Sequence, residues 1–266
     1  MPREMFVYPS LKLASNMSIL KSIKTQLIIY LTGFAVFLAV KDRNIMFLLT
    51  TGFAVFLAIG VESSVLYFST KAIKLTSSSV ITGLIIGFVL SSDQEWWKFL
   101  VACGLAIISK HLITFKKKHV FNPAAFGIFL TLILFSASTQ WKGTYLWYIL
   151  LPCGIYFAQR LGKLRIIISY FLVALALFTT QAIIQRAPLV NVLGYLSYFY
   201  IFVMAIEPKT SPVKSSEQII FGAGMAILIF MLTESGVKFD VELFSLLVLN
   251  IGILFINRVT LKEGAG

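Results

Sequence analysis

Ten apolar stretches follow one another along 266 residues, separated only by short polar connections. A transmembrane α-helix needs about 20 predominantly apolar residues, so ten of them leave no room for a second, soluble domain. Composition agrees: 58% of residues are hydrophobic and 13% charged, whereas soluble domains carry about 25% charged residues. The mean hydropathy of +0.90 points the same way. The expected fold class is an all-α integral membrane protein, with spans near 23–40, 45–69, 79–92, 96–114, 123–138, 144–160, 164–184, 189–206, 216–233 and 241–257.

A net charge of +12 suggests nucleic acid only if Lys and Arg gather on one soluble face, and here they lie in loops between spans. No nucleic-acid partner is expected. With the N-terminus inside, 17 of the 23 basic residues fall on inner segments and only Lys41, Arg43, Lys98, Lys142, Arg186 and Lys238 on outer ones. This is the positive-inside pattern, and losing one span would scramble it. The expected location is a cell membrane, crossed many times, with both termini cytoplasmic. The first 20 residues lack a signal peptide's basic start, apolar run and cleavage site, so 1–22 is expected to be a retained cytoplasmic segment and 259–266 a cytoplasmic tail.

Ten spans divide into halves of five, 23–138 and 139–258. Five is odd, so the second half enters the membrane from the opposite side, as in inverted-repeat transporters. The third span (76–93) and the eighth (191–208) each contain Gly and Ser and end in a polar break. Such short or interrupted spans at corresponding positions point to a midplane site, because unwound backbone survives in lipid only where protein or a cavity covers it. Gly83 and Gly87 form a Gly-x-x-x-Gly step that suits close helix packing more than ligand contact. TGFAVFLA occurs at 32–39 and 51–58 in consecutive antiparallel spans and carries no function. Cys103 and Cys153 lie inside spans and are read as packing residues.

Four places could carry chemistry. VFNPAAFGI (120–128) opens the fifth span; Asn122 and Pro123 suit a helix cap and equally a polar-ligand site at a helix N-terminus. MAIEPKTSPV (204–213) puts Glu207 beside two prolines, where it either coordinates a small cation with freed carbonyls or pairs at the interface with Lys209 or Lys214. Glu62 lies within the second span, where a charge costs about 2.5–3.5 kcal/mol; it either handles an ion or proton or reaches toward Lys71 or Lys74. Lys110 and His111 close the fourth span, Lys110 as an interfacial anchor with Lys116, Lys117 and Lys118, a cluster suited to anionic lipid. There is no phosphate-binding Gly-rich loop, metal-binding Cys/His cluster, haem-ligand pair or serine-hydrolase elbow, so no catalytic residue and no metal ligand is assigned.

Taken together, SKHL (109–112), VFNPAAFGI, MAIEPKTSPV with EQIIFGAGMAIL (217–228), SSSVITGLIIGFVL (77–90) before Trp96 and Trp97, and LVLN (247–250) resemble one family over residues 45–258. This is the NqrB/RnfD family, which contributes the RnfD-type membrane protein of Rnf electron-transport complexes and the NqrB-type membrane protein of the sodium-translocating NADH:quinone oxidoreductase. The resemblance implies a 5+5 inverted repeat similar to urea transporters, and movement of Na⁺ or H⁺ as electrons pass through flavins. Glu207, Pro208 and Thr210 match the family's Thr-Asp-Pro-x-Thr motif with Glu in place of Asp, Asn122 and Pro123 match its Asn-Pro, and an acid is usual where Glu62 stands. The family's long loop with a flavin-esterified Thr is here only SASTQWKG (136–143), and its Ser-Gly-Ala element is replaced by LGYLSYFY (193–200).

The expected function is thus a non-catalytic membrane component of an oxidoreductase or translocase, working with other membrane subunits. Glu62 and Glu207 would form the ion pathway, and Thr82, Asn122, Pro123 and Thr210 a ligand or flavin pocket. Bound flavin, FMN or riboflavin, would be non-covalent, and covalent FMN is not expected. The shortened loop also suits a different class, a stand-alone transporter or channel for a small solute or vitamin on the same scaffold; a structural anchor is a third reading.

Overall fold

The computed structural model of the protein describes residues 22–71, 75–116 and 118–263, with the side chains of the last helix as far as Leu254. The expected cytoplasmic segment before Ser22, Lys74 and Lys117 of the basic connections, and the end of the tail from residue 264 lie outside the described residues. Helix α1 spans Ile23–Lys41, α2 Ile45–Thr70, α3 Ser77–Val89, α4 Trp96–Leu112, α5 Pro123–Phe135, α6 Trp147–Leu161 and α7 Leu164–Ile184. Strands β1 (Thr114–Phe115) and β2 (Lys118–His119) form a small antiparallel hairpin between α4 and α5. After α7 come a 3-10 helix (Leu189–Tyr195) and a π-helix (Tyr200–Met204), then α8 (Ser215–Glu234) and α9 (Val241–Glu263). The protein is an all-α, multi-pass membrane protein.

Local chemistry explains the starts of these helices. Asn44 accepts from the Phe47 amide, Thr76 from Ser79 and Asn122 from Ala125, so each side chain satisfies one of the four amides a helix start leaves unpaired. Helices α1, α2, α7 and α8 are long and apolar enough to cross a membrane. Helices α3 and α5 have 13 residues each, about 20 Å of rise against an apolar layer of about 30 Å. At least one end of each therefore lies within the depth of that layer.

The third span is short rather than interrupted, one regular helix of 13 residues. The eighth overturns the expectation of an α-helix over 189–206: the chain runs through 3-10 and π turns instead, the Ala205 amide reaching back to the Tyr200 carbonyl. Pro188 closes off α7 and Pro208 prevents helical continuation. Residues 196–206 are buried throughout, so protein rather than lipid covers this irregular backbone.

Both α1 and α2 pack on α3, α2 packs on α4, and α4 on α5. The pattern recurs in the second half, where α6 and α7 pack on the 3-10 and π turns, α7 on α8, and α8 on α9. Helices α1 and α6 run antiparallel: Tyr156 bonds to Gln26 at one end, and Lys41 to Tyr145 at the other. These two ends of the bundle are called the Lys163 end and the Asp42 end. Gly83 and Gly87 are packing residues, since a Cβ there would come within 2.5 Å of Val55 Cα and 2.6 Å of Thr51 Cα on α2. The halves also meet through aromatic rings, with Phe88 stacked on Phe199 at 5.0 Å.

The short 136–143 connection has a structural task that its sequence does not advertise. Gln140 donates from its backbone amide to Val89 O and from its side chain to Gly87 O and Leu90 O, while the Lys142 amide donates to Phe88 O. These are the carbonyls that the end of α3 leaves without helical partners. The connection closes a helix that stops inside the apolar layer.

Candidate functional site

A cavity of about 710 Å³ opens toward the Lys163 end and reaches the start of α5. Ile81, Ile85, Phe157 and Phe202 form apolar walls, Thr82, Asn122 and Glu207 add polar groups, and Lys24, Arg160 and Lys209 lie around it. Both halves of the bundle contribute. Pro123 also lines it, fixing the first turn of α5 at the point where Asn122 caps the helix.

Asn122 is 2% exposed and fully employed. Its Oδ1 accepts from the Ala125 amide (3.0 Å), its Nδ2 donates to Met204 O (3.2 Å), and its own amide donates to Asn250 Oδ1 (3.0 Å). Asn250 Nδ2 in turn donates to Thr210 O (3.2 Å). Of the two readings left open for Asn122, the structure shows the cap: its side chain closes α5 and holds the Met204 carbonyl at the cavity wall. Asn250 was present in the LVLN segment, but its partners lie 128 and 40 residues away, so no local pattern announces the bridge.

Glu207 does not pair with Lys209 or Lys214 among the described residues. Its Oε1 lies 3.0 Å from His119 Nε2 and its Oε2 accepts from the Thr210 hydroxyl at 3.3 Å. His119, 5% exposed at the end of the β1–β2 hairpin, went unrecognised because 88 residues separate it from its carboxylate. Thr82 lines the cavity with its hydroxyl turned to Ser78 O (2.9 Å). Thr210 sits behind the wall, bracing Glu207.

Glu62 occupies separate surroundings between α2 and α4. It is 2% exposed and faces Lys110 Nζ at 2.7 Å and His111 Nε2 at 3.3 Å, not Lys71. Its Oε2 has no hydrogen-bond partner. Lys110 is accordingly turned inward, its side chain 9% exposed, which corrects its reading as an interfacial lipid anchor: a buried carboxylate attracts it more strongly than water at the helix end.

The polar break at 207–213 is held by two side chains that sequence reasoning passed over. Lys163 Nζ donates to Ser211 O (3.2 Å) and Pro212 O (2.6 Å), and Gln218 Nε2 to Gly162 O (2.8 Å) and Val213 O (3.1 Å). Burial, together with the nearby positive charge of Lys118, pushes the Lys163 amine down to about 8 from 10.5. The unfolded chain therefore holds more protons between pH 8 and 10.5, and stability gains as pH rises through that window. Thermal unfolding in detergent at pH 7.5 and 9.5 is expected to show that gain in the wild type, and Lys163→Met is expected to abolish it.

A model of the NQR2, RnfD, RnfE family matches residues 12–147 and again 140–266. No individually curated protein matches the chain significantly. The two family segments cover both halves of the bundle, each with the same order of helix packing. With the Asn-Pro helix start and the Glu-Pro break joined at one cavity, the chain belongs to the NQR2, RnfD, RnfE family, the membrane subunits of Rnf/Nqr-type complexes.

Proposed function

We propose that the protein couples redox change to Na⁺ or H⁺ movement within such a complex and holds a flavin, FMN or riboflavin, non-covalently in the 710 Å³ cavity. The cavity carries the reading. Its volume falls in the range of about 300–1,000 Å³ found for small-molecule sites. Ile81, Ile85, Phe157 and Phe202 suit a flat aromatic ring, and Lys24, Arg160 and Lys209 suit an anionic tail. Thr139, whose hydroxyl donates to Asp240 at 3.0 Å, lies at the Asp42 end away from this cavity, so a ligand in the cavity has no ester bond to it. A flavin bound there supplies reversible one- and two-electron acceptance.

The chain's own residues then handle the ion. Glu207 and His119 share a proton or expose a carboxylate to a cation at the cavity wall, and Glu62 with Lys110 and His111 forms a second charge-exchanging group. Partner subunits supply electrons. The distribution of basic residues turns the Lys163 end to the cytoplasm, and the antiparallel course of α1 and α6 supports an inverted repeat.

Purified protein is expected to show flavin absorbance, with the flavin released by acid. A colourless preparation that passes solute across liposomes would instead establish the stand-alone transporter. In the assembled complex, Glu207→Gln and Glu62→Gln are each expected to cut redox-driven cation uptake at least about tenfold, equivalent to 1.4 kcal/mol or more.

A further inference from the structure

Asp240 and Glu242 open α9 at the Asp42 end, and among the described residues neither has a Lys, Arg or His within ion-pair distance. Asp240 is otherwise satisfied, accepting from the Leu243 amide (2.9 Å), Trp141 Nε1 (2.8 Å) and the Thr139 hydroxyl (3.0 Å). Glu242 receives a hydrogen bond from the Ser197 hydroxyl and faces a cavity of about 250 Å³. A largely sequestered carboxylate without a counter-charge is costly. A cation placed beside it removes that cost.

The walls narrow the choice. Trp141, Phe178 and Tyr195 line the cavity together with Thr144, Ser197 and Thr233. The buried Thr144 hydroxyl has no hydrogen-bond partner. Tyr170, fully buried, packs behind the cavity against Ser197 and Glu242. Aromatic faces attract ammonium and guanidinium groups, and Asp240 on the indole N–H makes the Trp141 ring richer in electrons. A bare metal ion asks for a tight shell of oxygens, and among the described residues no three His, Cys, Asp or Glu converge. A volume of 250 Å³ walled by rings does not supply that shell.

We propose that this cavity binds a primary ammonium group, its charge held by Glu242, one N–H directed at Thr144 and its alkyl part against Trp141, Phe178 and Tyr195. Two sources carry that chemistry, a soluble alkylamine and the head group of phosphatidylethanolamine. The proposal uses residues at the opposite end of the bundle from the flavin cavity, so it stands or falls separately.

Trp141 is a built-in reporter. With Trp96, Trp97 and Trp147 changed to Phe, the protein in phosphatidylcholine nanodiscs is titrated with ethylammonium chloride against KCl at constant ionic strength. The expected result is a saturable shift of Trp141 emission whose midpoint rises about tenfold in Glu242→Gln, the weight of roughly 1.4 kcal/mol, and by a smaller factor in Thr144→Val. Nanodiscs containing phosphatidylethanolamine separate the sources: a raised midpoint identifies the lipid head group, and an unchanged one a soluble amine. The proposal is overturned if ethylammonium gives no saturable shift, if both correctly folded variants keep the wild-type midpoint, or if NaCl reproduces the response.

Discussion

Lys110→Met is expected to destabilise the protein by about 3–5 kcal/mol, because it strands a charge from which water has been excluded. Glu62 is 2% exposed, one of its oxygens already lacks a partner, and only His111 would remain beside it. Glu62→Gln leaves the Lys110 ammonium stranded in the same way. The double variant Glu62→Gln/Lys110→Met removes both charges, and replacing a whole buried pair is often near neutral. Thermal unfolding in detergent should therefore show two single variants lowered by about 10 °C, the scale of several kcal/mol in a chain of this size, and a double variant close to wild type. A double-variant loss equal to the sum of the two single losses would mean that the pair carries no coupling. A double variant that recovers stability but not cation uptake in the complex would separate Glu62's proposed transport role from its structural one.

The second large effect is expected at Asn250. Changing it to Ala leaves the Asn122 amide and the Thr210 carbonyl without partners at the junction of α5, α9 and the 207–213 turn. Each buried orphan costs about 1–3 kcal/mol, so the loss should rival that of the ion pair. Asn122→Ala gives up the α5 cap and the bond to Met204 O. Because the two asparagines share one network, their effects should be non-additive by about 0.5–3 kcal/mol. A double-mutant cycle on urea or thermal unfolding checks this; strict additivity would show that the halves are joined by other means. Loss of flavin from Asn250→Ala, a residue outside the cavity wall, would show that the bridge positions the site.

Much of this was visible in the order of residues. Nine of the ten apolar spans are α-helices near their expected limits, because helix length, caps such as Asn122 and terminators such as Pro208 act within a few residues of one another. The break in the second half was also legible, since Pro, Gly and Ser cluster at 188–213. Its form was not: the spacing of apolar residues from 196 to 206 does not distinguish an α-helix from π turns buried between two halves. The candidate residues Asn122, Pro123, Thr82 and Glu207 meet at one cavity, whereas Glu62 stands apart and Thr210 lies behind.

What the sequence determined by itself was the solvent, the number of crossings and the places where a helix could not continue, because hydropathy and backbone geometry are properties of short windows. Partnership belonged to the tertiary structure. Lys110 for Glu62, His119 for Glu207, Asn250 for Asn122 and the 136–143 connection for the end of α3 are separated by about 50 to 130 positions. Inside a membrane a polar group must find another polar group, and which one it finds depends on how ten crossings pack, not on its neighbours in the chain.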